Sequence, residues 1–73
     1  MTTEQVEAAL TAHPFRPFVV HMADGRSLPV RHPDYFLLSP SGRTAFVFQT
    51  ADEFSIVDLL LMTELEMAPS AAA

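Results

Sequence analysis

The chain has 73 residues, 49% of them hydrophobic and 18% charged, with no cysteine, and sets four arginines against nine carboxylates for a net charge of −5. That length allows one small domain of marginal stability and, without cysteine, excludes disulfides and thiolate metal sites as stabilisers, which leaves self-association. The acidic balance disfavours nucleic acid as a partner, and no apolar run approaches membrane-spanning length, so the expectation is a soluble, cytoplasmic protein with no cofactor.

The predicted elements begin with a helix over about residues 2–13. Val6, Ala9, Leu10 and His13 recur at helical spacing, Thr2 and Gln5 form a capping box, and Met1 is placed to staple onto Val6. Pro14 ends the helix by restricting the residue before it. Pro14-Phe15-Arg16-Pro17-Phe18 then reads as a stiff connector with both rings turned to the core.

From Pro17 onward the hydrophobic period changes to two. Phe18, Val20 and Met22 share one face of a first strand, and Asp24-Gly25 signals a two-residue hairpin turn. The returning strand carries Leu28 and Val30. Pro29 is tolerable there only where its missing N–H points away from the ladder, which marks an edge, a bulge or a break. The strand is predicted to bend at Pro33 and resume through Tyr35 to Leu38, before a turn at Ser39-Pro40-Ser41-Gly42. A third strand spans Thr44 to Gln49, and a fourth carries Phe54 and Ile56 on one side. Leu59 to Met62 fits either a short helical turn or more strand, Leu65 and Met67 close a fifth strand, and residues 69–73 read as a disordered tail.

A helix followed by five short antiparallel strands predicts a small mainly β barrel of Sm-like or SH3-like type over residues 1–68, with an open antiparallel sheet carrying the helix on one face as the alternative. Phe18-Val19-Val20-His21-Met22-Ala23-Asp24-Gly25-Arg26 resembles the first half of an Sm motif, and Ile56 to Glu66 is similar to its second half. RNA-binding Sm proteins carry an asparagine after the first half and a basic-glycine pair in the second. Here those stretches read Pro33-Asp34-Tyr35-Phe36 and Asp58-Leu59-Leu60-Leu61, with neither signature. The run Pro14-Phe15-Arg16-Pro17-Phe18, Asp24-Gly25-Arg26 and His32-Pro33-Asp34 resembles a group of short bacterial proteins, a resemblance that implies a fold and no activity.

The chemistry-bearing residues form no recognised motif. His21, His32 and Asp34 are the candidates for a mixed nitrogen and oxygen metal site, and His32 with Asp34 for acid-base work at a subunit interface. Against this, no hydroxyl or thiol stands out as a nucleophile and two glycines make no phosphate loop. The strongest signal is apolar excess on second faces of strands, at Val19, Ala23, Phe36 or Leu37, Val57 and one face of Leu59 to Met62, which nominates Val19, Phe36, Val57, Leu59 and Leu61 as an oligomer interface. The leading expectation is therefore a non-enzymatic structural or protein-interaction module that acts as a homo-oligomer. An oligonucleotide-binding ring is the alternative, using Arg16, Arg26, Arg31, Arg43 and Tyr35 gathered by symmetry.

Overall fold

The computed structural model describes residues 1–67, so the tail expected over residues 69–73 lies outside the described residues. The helix α1 spans Thr3–Leu10 and is followed by strands β1 (Phe18–Met22), β2 (Ser27–Val30), β3 (Phe36–Leu38), β4 (Thr44–Phe48), β5 (Phe54–Asp58) and β6 (Met62–Met67). Two short 3-10 turns, Pro33–Tyr35 and Leu59–Leu61, join β2 to β3 and β5 to β6.

The capping box forms as expected: Thr2 Oγ1 accepts from Gln5 N–H, and the Gln5 side chain accepts from Thr2 N–H. The helix is shorter than the periodicity suggested. Its last turn closes at Thr11, whose N–H and hydroxyl both donate to Glu7 O, and His13 lies exposed beyond it. A hydroxyl that satisfies the terminal carbonyl stops the helix before proline has to.

The strands form two three-stranded antiparallel sheets, ordered β2-β1-β6 and β3-β4-β5, and neither closes into a barrel. This corrects the five-stranded barrel and agrees better with the open-sheet alternative. The physical reason lies at Pro33. A bent second strand would have to be shared by both sheets to close a barrel, but the 3-10 turn Pro33–Tyr35 divides it into β2 in one sheet and β3 in the other.

The first hairpin also differs from expectation. Met22 N–H donates to Arg26 O and Gly25 N–H to Met22 O, which leaves Ala23-Asp24-Gly25 as a three-residue loop with positive φ at Gly25 alone. That is the arrangement in which a tight turn is followed by one left-handed residue, rather than a two-residue turn needing two of them.

Between the layers lies one core. Val6 and Ala9 of α1 pack with Phe18, Val20 and Met22 of β1, Leu28 and Val30 of β2, and Phe36, Ala45, Val47, Val57, Leu59 and Met62. Phe15 packs against its edge, with its ring centroid 6.0 Å from that of Phe18, as the connector reading required. The helix is held at its start by Gly42 in the β3–β4 turn. Thr3 Oγ1 donates to Gly42 O at 3.2 Å, and a Cβ on Gly42 would sit 2.6 Å from that hydroxyl oxygen. Gly42 also has φ +74°, so backbone conformation and close approach both call for glycine.

Candidate interaction surface

The two sheets present different outer faces. On the β3-β4-β5 sheet the inward residues are Phe36, Ala45, Val47 and Val57, and strand alternation therefore turns Leu37, Phe46, Phe48, Phe54 and Ile56 outward. Register makes these outward side chains neighbours. Leu37 pairs with Phe46 and Phe46 with Ile56 in one row across the sheet, while Phe48 pairs with Phe54 in the next. Phe54 lies against both aromatic residues of β4, with ring centroids 5.2 Å from Phe48 and 6.3 Å from Phe46. Despite that mutual cover, Leu37 and Ile56 are each 60% exposed and Phe54 50%. A contiguous apolar face of this kind marks an interaction surface more often than isolated exposed leucines do.

The outer face of the β2-β1-β6 sheet is polar at its centre. His21 on β1 is flanked by Ser27 of β2 and Glu64 of β6 in register. Its Nε2 is 2.8 Å from Glu66 Oε1, and its Nδ1 is 3.1 Å from the Ser27 hydroxyl. Serine, histidine and glutamate are thus linked in a row across three strands. They lie on an open face, with His21 half-buried and Ser27 and Glu66 exposed.

A shallow cavity of about 260 Å³ lies on this sheet, lined by Pro17, Val19, Pro29, Arg31 and Glu66 among others. Val19, nominated for the oligomer interface, is half-buried there.

The other nominated interface residues divide. Leu61 is exposed, beside Leu60 in the 3-10 turn before β6. Phe36, Val57 and Leu59 are core residues, and their assignment to a surface is corrected. For β5 the two faces are exchanged relative to expectation: Val57 faces inward and Phe54 and Ile56 outward. The pairings Ala45 with Val57 and Phe46 with Ile56 determine this, because small Ala45 leaves room for Val57 beneath the sheet. On β3 the outward position is the alternative Leu37 rather than Phe36, while the outward Phe46, Phe48, Phe54 and Ile56 are not among the nominated residues. A usable signal was the contrast on β4 between bulky Phe46 and Phe48 on one side and compact Ala45 and Val47 on the other.

His21 and His32 do not come together. His32 is the cap of the first 3-10 turn, its Nδ1 accepting from Asp34 N–H at 3.1 Å, with Asp34 Oδ2 3.6 Å from the same nitrogen. The bend expected at Pro33 takes the form of this turn, and the histidine caps it. Among the described residues no cluster of three or more histidine, aspartate or glutamate side chains could hold a metal ion.

The arginines occupy separate places. Arg26 Nε donates to Asp24 Oδ2 at the first hairpin, and Arg43 Nε lies 3.6 Å from Asp58 Oδ1 at the far end of the second sheet. Arg31 lines the shallow cavity with Glu66, Arg16 lies in the connector, and Tyr35 stands beside His32. The Arg26 backbone N–H holds the Asp24 carboxyl below the ordinary carboxylate value, against an opposing effect of desolvation and with lesser help from the Arg26 guanidinium.

No family model, curated protein or solved structure matches this chain. Among the described residues, no helix is long and apolar enough to cross a membrane.

Proposed function

We propose that this chain is a non-enzymatic protein-interaction module that works as a homo-oligomer. The observation that carries the reading is the outer face of the β3-β4-β5 sheet, where Leu37, Phe46, Phe48, Phe54 and Ile56 adjoin one another. Full burial of such a side chain contributes about 1.5 to 3 kcal/mol, so each half-exposed one has roughly 1 kcal/mol still to gain from being covered. For a domain of 8.1 kDa, whose stability is a few kcal/mol at this size, that gain is comparable to the stability itself.

The ring-forming nucleic-acid reading has less support. The net charge is −5, and both Arg26 and Arg43 already face carboxylates. Light scattering across a micromolar concentration series tests the proposal: association should raise the mass above 8.1 kDa as concentration rises. A mass fixed at the monomer value, or salt-sensitive binding of labelled single-stranded RNA, would count against it.

A further inference from the structure

We infer that β5 is the line along which two copies of this chain join, antiparallel and two-fold symmetric about Ile56, so that the second sheet continues from one copy into the other. The inference rests on the self-associating reading above and adds where the second copy sits.

The backbone of β5 supplies the geometry. Gln49 N–H donates to Glu53 O and Leu59 N–H to Arg43 O, both in the same register as the β4–β5 pairing. Residues 53, 55, 57 and 59 therefore direct their backbone groups at β4. By strand alternation Phe54, Ile56 and Asp58 direct theirs away from it, at the terminal edge of the β3-β4-β5 sheet. An identical strand running antiparallel can meet that edge with Ile56 opposite its own copy and Phe54 opposite Asp58. All three outward residues are then used on both copies. No other symmetric register uses as many.

The remaining edges are obstructed. On β2, Met22 N–H donates to Arg26 O, so Ser27 and Pro29 face outward, and Pro29 has no N–H to offer there. On β6, Glu64 and Glu66 place carboxylates beside the edge, where a second copy would oppose like charge. β3 has only three residues, Phe36–Leu38, between a 3-10 turn and Pro40. β5 has no proline and no charge between Phe54 and Val57. Its outward side chains Phe54 and Ile56 are apolar, and Asp58 at its end is held by the Leu60 N–H with Arg43 nearby, so the same strand carries the open edge and part of the open face.

A second copy is favoured over an unrelated strand because the edge is self-complementary: the central pair would be two isoleucines, the row already apolar through Phe46 and Leu37. A five-residue strand is a narrow contact compared with the ~800 Å² per partner of a standard interface, so association in the micromolar range or weaker is expected.

Single-cysteine cross-linking tests this, since the natural chain has no cysteine to interfere. Ile56 and Leu37 lie on the same face and are equally exposed at 60%, which makes Leu37→Cys a matched control. In the joined sheet two copies of residue 56 are about 5.5 Å apart, within disulfide reach, whereas two copies of residue 37 are separated by five strand spacings, about 24 Å. Ile56→Cys should give a covalent dimer at least tenfold faster than Leu37→Cys. In the reduced state Ile56→Lys, which sets two like charges opposite each other, should weaken association at least tenfold with an unchanged far-ultraviolet spectrum.

Preferential cross-linking of Leu37→Cys, or a dimeric mass with neither variant cross-linking, overturns the β5 edge and leaves the self-associating reading standing. A natural chain that stays monomeric at every concentration overturns both.

Discussion

The outer faces of the two sheets are built from the same strand geometry and do opposite things. On β2-β1-β6, His21, Ser27, Glu64 and Glu66 make a polar centre, and the edges carry Pro29 on one side and paired glutamates on the other. On β3-β4-β5 the corresponding positions are Leu37, Phe46, Phe48, Phe54 and Ile56, and the β5 edge has no comparable obstruction. A small acidic chain has therefore concentrated its apolar surplus on one sheet and kept the other fit for water. The difference separates what holds the domain together from what is left to hold something else.

Neighbouring positions on β3 give the largest expected contrast. Phe36→Ala removes a core ring and should cost about 3 to 5 kcal/mol in a urea unfolding titration, close to the whole stability of a domain this size. Leu37→Ala, one residue on but outward, should change the unfolding free energy of the dilute protein by less than about 1 kcal/mol. Equal losses at the two positions would break the distinction between the inner and outer faces.

Gly42→Ala should destabilise by about 1 to 3 kcal/mol. The added Cβ strains a left-handed backbone and drives into Thr3 Oγ1, which displaces the helix start from the turn of the second sheet. Gly25→Ala, at φ +93° with open space around it, should cost less, because only the backbone penalty applies. Thermal melts of the two variants compare the crowded turn of the second sheet with the open turn of the first.

Pro29→Val should make the first sheet resemble the second by returning an outward N–H to β2. Its expected signature is a higher apparent mass in size-exclusion chromatography at equal concentration, with little change in the melting temperature.

The smallest expected effect is the pH response of the first hairpin. Because the Asp24 carboxyl lies below its ordinary value in the folded chain, its contribution is complete above the unfolded value of 3.8 and is lost as the pH falls through the lower folded value. Asp24→Asn should remove that acid-side slope by slightly lowering stability in the neutral region, where the contribution is complete, so that the two profiles converge at low pH.

Local chemistry in the sequence was enough to anticipate the capping box at Thr2 and Gln5 and the bend at Pro33, and to narrow Pro29 to an edge, a bulge or a break and Leu59 to Met62 to a helical turn or more strand. Each depends on residues within a few positions of one another. The separation of β2 and β3 into different sheets, and the inward choice of Val57 over Ile56, depend on pairing with β4 across many residues. Strand alternation shows that two faces differ without showing which one meets the core. For that reason apolar excess was legible as a property of the chain, while its location moved from Val57 and Leu59 to Phe46, Phe48, Phe54 and Ile56, and the choice between Phe36 and Leu37 fell to Leu37.

Residue-resolved amide hydrogen exchange over a concentration series tests the contrast between the sheets most directly. The outward amides of Phe54 and Ile56 should exchange freely in dilute solution and become protected as concentration rises, while the outward amide of Ser27 on β2 stays unprotected throughout. Fast exchange at Phe54 and Ile56 at every concentration, or new protection confined to Ser27, would contradict the assignment of self-association to the second sheet.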